Sequence, residues 1–133
     1  MLPRLVAILA FSVLACGPST DISVSDHSDA LTGNGHDNLF QLKVLSIDAL
    51  VPIAQVQLSV APPGQTQQVV EFAHDDADGD GKLGPNDILV GKESEANRFD
   101  GGDTGTEYRV LLLRDRKTTK LEQLAQGSWT PAN

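Results

Sequence analysis

Cysteine is almost absent from this chain. Cys16 is the only cysteine among 133 residues, so the protein cannot form an internal disulfide. Small domains often depend on disulfides, and this one must depend instead on an apolar core and on any metal that it binds. The sequence therefore excludes a disulfide-stabilised scaffold.

Basic residues are also scarce. The chain has 10 Lys and Arg against 18 Asp and Glu, which gives a formal net charge of −8. The acidic residues are concentrated, because residues 71–103 contain ten acids and three bases, whereas residues 104–133 contain three acids and five bases. An acidic surface repels a phosphate backbone and attracts cations, so we expect no nucleic-acid binding.

Signatures of catalysis and of repeats are missing. The sequence has no repeated unit, no glycine-rich phosphate loop, no nucleophile elbow and no pair of histidines at zinc-ligand spacing. An acyl-transfer site would require a serine, His74 and an aspartate to meet in space, and no local pattern indicates this. We therefore expect that the protein is not an enzyme.

No apolar run is long enough to span a bilayer. The run at residues 5–14 has the length of a signal-peptide core, whereas a transmembrane helix needs about 20 residues. Residues 13–16 read Val-Leu-Ala-Cys, which resembles the lipobox of bacterial lipoproteins, where cleavage precedes a cysteine that carries the lipid. Ordinary secretion also fits these small residues, but the sole cysteine at this position favours a lipid on Cys16. The resemblance implies a membrane anchor in the bacterial cell envelope, and by resemblance to lipoprotein sorting signals Gly17 after the cysteine implies the outer membrane.

Cleavage before Cys16 leaves enough chain for one domain. Residues 17–38 are mostly Ser, Asp, Thr, Gly and Asn with single scattered apolar residues, and we find no helical or strand period there. We predict a signal peptide at 1–15, a lipidated cysteine and flexible tether at 16–38, and a domain at 39–133. His27 and His36 fall in the tether, where solvated linker histidines are favoured over a zinc site.

The strongest chemical signal lies at residues 76–87, which read DADGDGKLGPND. Asp76, Asp78 and Asp80 would repel one another without a cation, and a hard divalent cation takes six to eight oxygen ligands at about 2.3–2.6 Å. Gly81 suits a sharp turn. The pattern indicates a cation-binding loop, and the alternative is an acidic surface turn without metal, since Asp and Gly form turns in any case.

These twelve residues resemble the calcium loop of the EF-hand family, which supplies oxygens from positions 1, 3, 5, 7, 9 and 12 and has glycine at position 6. The resemblance implies calcium as the cofactor, with a water-mediated contact at Gly84. The ligands that it implies are Asp76, Asp78, Asp80, Lys82 through its backbone carbonyl, and Asp87.

The loop departs from the EF-hand pattern in two ways. Asp87 occupies position 12, where the family prefers the longer glutamate, so bidentate contact is harder, and either calcium affinity is lower or a smaller ion is better tolerated. The flanking residues include adjacent valines before the loop and Gly91 after it, which do not favour helices. His74 offers a further ligand or a base, but we expect it to end a strand, because hard cations prefer oxygen.

Period-two alternation of apolar and polar residues predicts short strands on both sides of the loop. The alternation through Phe40, Leu42 and Val44 is the clearest, with a break in register near Leu45. A helix is the alternative for residues 68–74 only. The predicted strands cover residues 40–44, 54–60, 68–74, 88–90, 108–112 and 120–129, and the predicted core includes Val56, Leu58, Tyr108, Leu112 and Trp129.

This pattern predicts an all-β fold, a small antiparallel β-sandwich or barrel-like domain with the EF-hand-like calcium loop between strands. We expect an exported lipoprotein whose calcium-stabilised domain is a binding or adhesion module for an envelope protein or glycan. The alternatives are an EF-hand sensor with helical flanks and a small envelope hydrolase. A second acidic turn contains Asp100 and Asp103, and we favour a plain turn over an extra ligand for the same ion.

Overall fold

The computed structural model describes residues 20–28, 31, 37–93, 99, 103–117 and 121–132. These residues form nine β-strands and no α-helix, with a turn of 3₁₀-helix at Ile53–Gln55, so the all-β prediction is confirmed. In this part of the chain no helix has the length and apolar character needed to cross a membrane. The strands are β1 (Thr20–Asp26), β2 (Asn38–Ile47), β3 (Val51–Pro52), β4 (Val56–Ala61), β5 (Gln68–Asp75), β6 (Lys82–Leu83), β7 (Ile88–Lys92), β8 (Tyr108–Asp115) and β9 (Leu121–Trp129).

Seven strands form one antiparallel sheet in the order β1-β2-β7-β5-β4-β8-β9, which nearly closes into a barrel. The edge strands β1 and β9 meet, because Trp129 Nε1 donates a hydrogen bond to Asp26 Oδ1 at 2.7 Å. A Cβ atom on Gly127 of β9 would lie 2.7 Å from Val24 Cγ2 of β1. Glycine is therefore required where the two edges come together, and the barrel-like prediction is confirmed.

The interior is filled by alternate residues of the strands. Phe40, Leu42 and Val44 of β2 are fully buried, as their alternation predicts. Trp129 is 1% exposed, and its ring lies 5.3–5.5 Å from the rings of Phe40, Phe99 and Tyr108. Trp129 thus closes the core as predicted and offers no face for ligand stacking. The other predicted core residues Leu58, Tyr108 and Leu112 are buried, and Val56 is half-buried against them.

The break in register predicted near Leu45 is a β-bulge. Asp21 pairs with Ser46 and the next residue, Ile22, pairs with Val44, so Leu45 has no partner in β1. Leu45 is also 52% exposed. The bulge therefore turns one apolar side chain out of the alternation without disturbing the buried residues of β2.

The predicted tether at 16–38 is wrong over residues 20–26, which form β1. This strand pairs with β2, and its Ile22 and Val24 are half-buried between exposed polar residues. Ile22 and Val24 do have the two-residue spacing of a strand, but two apolar residues in a short edge strand give only a weak periodic signal. His27 follows β1 directly, and its backbone N–H donates to Leu39 O at 3.2 Å. The ordered domain therefore begins by Thr20 rather than at residue 39, while the predicted signal peptide, Cys16 and His36 lie outside the described residues.

The two acidic segments lie at opposite ends of the sheet. Residues 76–87 join β5 to β7 beside the pair Asp75 and Ile88, and we call this the loop end. Asp103 accepts a 2.7 Å hydrogen bond from the hydroxyl of Tyr108, which pairs with Trp129 at the other end, here called the aromatic end. Asp103 therefore belongs to a turn far from residues 76–87, and Asp100 lies outside the described residues.

Candidate metal centre

The loop at residues 76–87 is anchored in the middle. Its short strand β6 pairs with β3, which aligns Leu83 with Val51. Both of these side chains are fully buried in the core. In addition, Ile53 N donates to Gly81 O at 3.1 Å. The twelve-residue connection is thus held against the sheet by an apolar anchor rather than extending into solvent.

Backbone N–H groups inside the loop orient two of the predicted ligands. Asp76 Oδ1 accepts from Gly79 N at 3.0 Å, and Asp76 Oδ2 accepts from Gly81 N at 2.7 Å. Asp80 Oδ1 accepts from Lys82 N at 2.9 Å. Gly81 has a φ of 74°, a left-handed conformation that side chains disfavour, so it makes the turn expected at this position.

Asp87 closes the loop from the other side. Its side chain is 1% exposed, and its Oδ1 accepts from Ala77 N at 2.9 Å. Its Oδ2 accepts from Gly84 N at 3.0 Å and lies 2.9 Å from Nε2 of His74. The last residue of the loop thus contacts both the first turn of the loop and the end of β5.

The carboxylates fall into two overlapping groups. Ligand atoms of Asp76, Asp78 and Asp80 all lie within 4.8 Å of one another, and so do those of His74, Asp76 and Asp87. Asp76 belongs to both groups. The structure therefore brings together the predicted carboxylates around Asp76, with Asp87 on the His74 side and Asp78 and Asp80 on the other.

Lys82 and Gly84 occupy the remaining predicted positions. Lys82 lies in β6 opposite Pro52, so its backbone is held in the strand pair. Gly84 is buried, and a Cβ atom there would lie 3.0 Å from Leu50 Cδ2. Gly84 therefore has a packing role and donates to Asp87, which the sequence pattern alone did not indicate.

The carboxylates of Asp76 and Asp78 perturb each other. The N–H of Gly81 holds the pKa of Asp76 below its usual value. A side-chain hydrogen bond with Asp76 raises the pKa of Asp78, and desolvation and nearby Asp80 act in the same direction. Because the pKa of Asp76 is lowered while the pKa of Asp78 is raised, ionising both carboxyl groups together is unfavourable. A divalent cation between the two carboxylates would relieve their repulsion.

No basic side chain neutralises this region. Among the residues that the structure describes, no lysine or arginine forms an ion pair with Asp76, Asp78, Asp80 or Asp87. Lys82, the only base within the loop, is exposed. In the described residues the arrangement is therefore four acids and one imidazole without a lysine or arginine partner, and these nitrogen and oxygen donors are of the kind that divalent metals bind.

The elements that flank the loop are strands. β5 ends at Asp75 and β7 begins at Ile88, and both belong to the main sheet. The helical alternative for residues 68–74 is wrong, and so are the helical flanks of an EF-hand sensor. No protein-family model, curated protein or solved structure matches this chain.

Proposed function

We propose that this protein is an exported lipoprotein of the bacterial envelope whose β-domain binds one calcium ion in the loop at residues 76–87. The observation that carries the proposal is the group of Asp76, Asp78 and Asp80, whose ligand atoms lie within 4.8 Å of one another and which have no lysine or arginine ion-pair partner among the described residues. The Lys82 carbonyl and Asp87 complete the ligand set. The role is binding or adhesion, without catalysis.

Calcium in this loop is structural. Only the folded chain gathers these acids, so calcium binding adds to the free energy of unfolding. Extracellular calcium modules have dissociation constants of about 10⁻⁴ to 10⁻³ M. The buried anchor formed by Leu83 and Val51 already holds the loop on the sheet. Calcium therefore rigidifies the loop without moving the strands on either side.

Calorimetric titration of the metal-stripped chain with calcium chloride tests the site. We expect one binding event at millimolar calcium or below, and a higher melting temperature. The double variant Asp78→Asn, Asp80→Asn should lose both, because amides lack the charge that the cation requires. Glu107→Gln is the matched control, since Glu107 is an exposed acid outside the loop. An absence of calcium heat in the wild-type chain contradicts the proposal.

A second surface supports a binding role. A concavity of about 550 Å³ lies between the turn that contains Pro62 and Gln65 and the strands β8 and β9. Arg109, an exposed residue, lines it beside Gln126 and Ser128. Such a polar concave surface suits an envelope protein or a glycan. Affinity capture from envelope extracts with and without chelator tests this, and Arg109→Ala should reduce the captured partner.

The lipid anchor has its own test. In a Gram-negative host, Cys16→Ser should release the protein from the membrane fraction, because the thiol is the only site for the lipid in this sequence. Fractionation followed by immunoblotting gives the result. Equal membrane association of the variant and the wild-type chain contradicts the lipoprotein assignment but leaves the calcium site untouched.

A further inference from the structure

The imidazole beside the loop is not explained by calcium binding. His74 lies at the end of β5, and its side chain is 12% exposed. Its Nε2 is 2.9 Å from Asp87 Oδ2, and both groups lie within 4.8 Å of a carboxylate oxygen of Asp76. Hard cations such as calcium prefer oxygen, whereas imidazole suits zinc and similar transition metals.

Asp87 adds a second observation that points to a cation. Its carboxylate is 1% exposed, yet no lysine or arginine in the described part of the chain pairs with it. Its contacts are two backbone N–H groups and His74. His74 is thus the basic side chain that pairs with this buried carboxylate, and a metal ion between Nε2 and Oδ2 would offset the carboxylate charge in the same way. The position of Asp87 is therefore suited to a metal ion that also binds His74.

We propose that His74, Asp76 and Asp87 form a second metal position that takes a zinc-type divalent transition ion, in competition with calcium. The ligands are one imidazole nitrogen and two carboxylates, and water takes the fourth place of a tetrahedral zinc site. The inference rests on the same loop as the proposed function, but it does not require calcium binding, because Asp78 and Asp80 are not ligands of this second position.

The distances allow this site with small movements. Zinc binds His nitrogen and Asp oxygen at about 2.0–2.2 Å, which places tetrahedral ligand atoms about 3.3 Å apart. His74 and Asp87 need to separate slightly from 2.9 Å, and the Asp76 oxygen needs to approach from within 4.8 Å. In the metal-free protein, Nε2 carries the proton that Asp87 accepts. Zinc takes the Nε2 lone pair, and the neutral ring then carries its proton on Nδ1.

Competition follows from the shared carboxylates, because Asp87 is also a ligand in the proposed calcium set. Asp76 belongs to both groups, and its two oxygens already accept from Gly79 and Gly81. One carboxylate held in this way cannot turn toward both positions. Zinc should therefore weaken calcium binding and calcium should weaken zinc binding by the same factor, because coupling between two binding equilibria is reciprocal.

The test is calorimetric titration of the full chain carrying Cys16→Ser, so that no thiol competes for zinc. Zinc chloride should bind once, and His74→Gln should weaken that binding at least about tenfold while leaving calcium binding unchanged. The double variant Asp78→Asn, Asp80→Asn should show the opposite pattern. His27→Gln is the matched control, and it should bind both ions as the parent does.

The ring nitrogen shifts of the parent protein give a measurement that does not depend on any variant. In ¹⁵N-detected spectra, zinc should shift Nε2 of His74 and leave His27 and His36 unchanged. No zinc heat, or equal zinc affinity after His74→Gln, overturns the inference and leaves the calcium proposal standing. Zinc binding at His74 without any calcium binding supports the inference and contradicts the calcium proposal. If the parent protein binds neither zinc nor calcium, both the inference and the calcium proposal are wrong.

Discussion

The carboxylates at the two ends of the sheet have different partners. At the aromatic end, Asp26 accepts hydrogen bonds from Trp129 Nε1 and Ala132 N. Glu93 is fully buried there, and its Oε2 accepts from Phe99 N at 2.9 Å. Each of these acids joins distant parts of the chain through N–H donors. At the aromatic end, hydrogen bonds from N–H groups of the protein therefore stabilise these carboxylates.

At the loop end, the acids face one another. Asp76, Asp78 and Asp80 lie together, and Asp87 adds a buried carboxylate next to His74. Backbone N–H groups satisfy part of their hydrogen-bonding capacity, but no lysine or arginine in the described residues forms an ion pair with them. The comparison teaches that buried acids alone do not indicate a metal site. The proposed metal site differs in that its acids are clustered, and none of them has a lysine or arginine partner in the described part of the chain.

The largest expected effect lies at the aromatic end. Trp129→Ala removes a ring that packs against three others and leaves Asp26 without its indole donor. We expect a loss of about 3–5 kcal/mol in the free energy of unfolding, measured by chemical denaturation. Trp129→Phe keeps a ring but not the donor, and it should cost less. A loss below about 0.5 kcal/mol for Trp129→Ala would show that the aromatic cluster does not hold this end.

A medium effect is expected at the loop end on adding calcium. Calcium at 100 times its dissociation constant should contribute about 2.7 kcal/mol. Amide hydrogen exchange locates the gain, because the amides of Ala77, Gly79, Gly81 and Gly84 donate to loop carboxylates and should exchange more slowly. Amides at the aromatic end, such as that of Phe99, should show only the global change. A uniform slowing at both ends would contradict the local role of the ion.

The local parts of the fold could be predicted from the sequence. The strands β2 and β8 follow from alternation, and the bulge at Leu45 follows from its interruption. These features depend on neighbouring residues only. β1 was missed because Ile22 and Val24 are its only apolar residues. Its stability comes from pairing with β2 and from the contact of Asp26 with Trp129, 103 positions away.

The site could be predicted only in part, for the same reason. The alternate aspartates and Gly81 are adjacent in sequence, so their spacing carries the loop geometry. The contact between His74 and Asp87 depends on the pairing of β5 with β7, which no spacing rule within the loop contains. Asp103 shows the converse, since its acidic glycine-rich surroundings resemble the loop but lie at the other end of the sheet.

The smallest effect distinguishes repulsion at the loop end from ordinary loop structure. The pKa of Asp78 is raised in the folded protein, first by its hydrogen bond with Asp76, so its ionised form is disfavoured there. A raised carboxyl pKa contributes stability below the unfolded pKa, and this contribution is lost as the pH rises through the folded value. At neutral pH, Asp78→Asn should therefore raise the melting temperature of the metal-free protein slightly, because the amide can still donate to Asp76 without adding charge.

The difference in melting temperature between the variant and the parent should vanish in acid, where Asp78 is protonated in both the folded and the unfolded state. The same variant should gain less from calcium than the parent. Thermal scans of both chains from acid to neutral pH, with chelator and with calcium, provide the measurement. If the metal-free variant is less stable than its parent at neutral pH, the Asp78 carboxylate stabilises the loop without any cation.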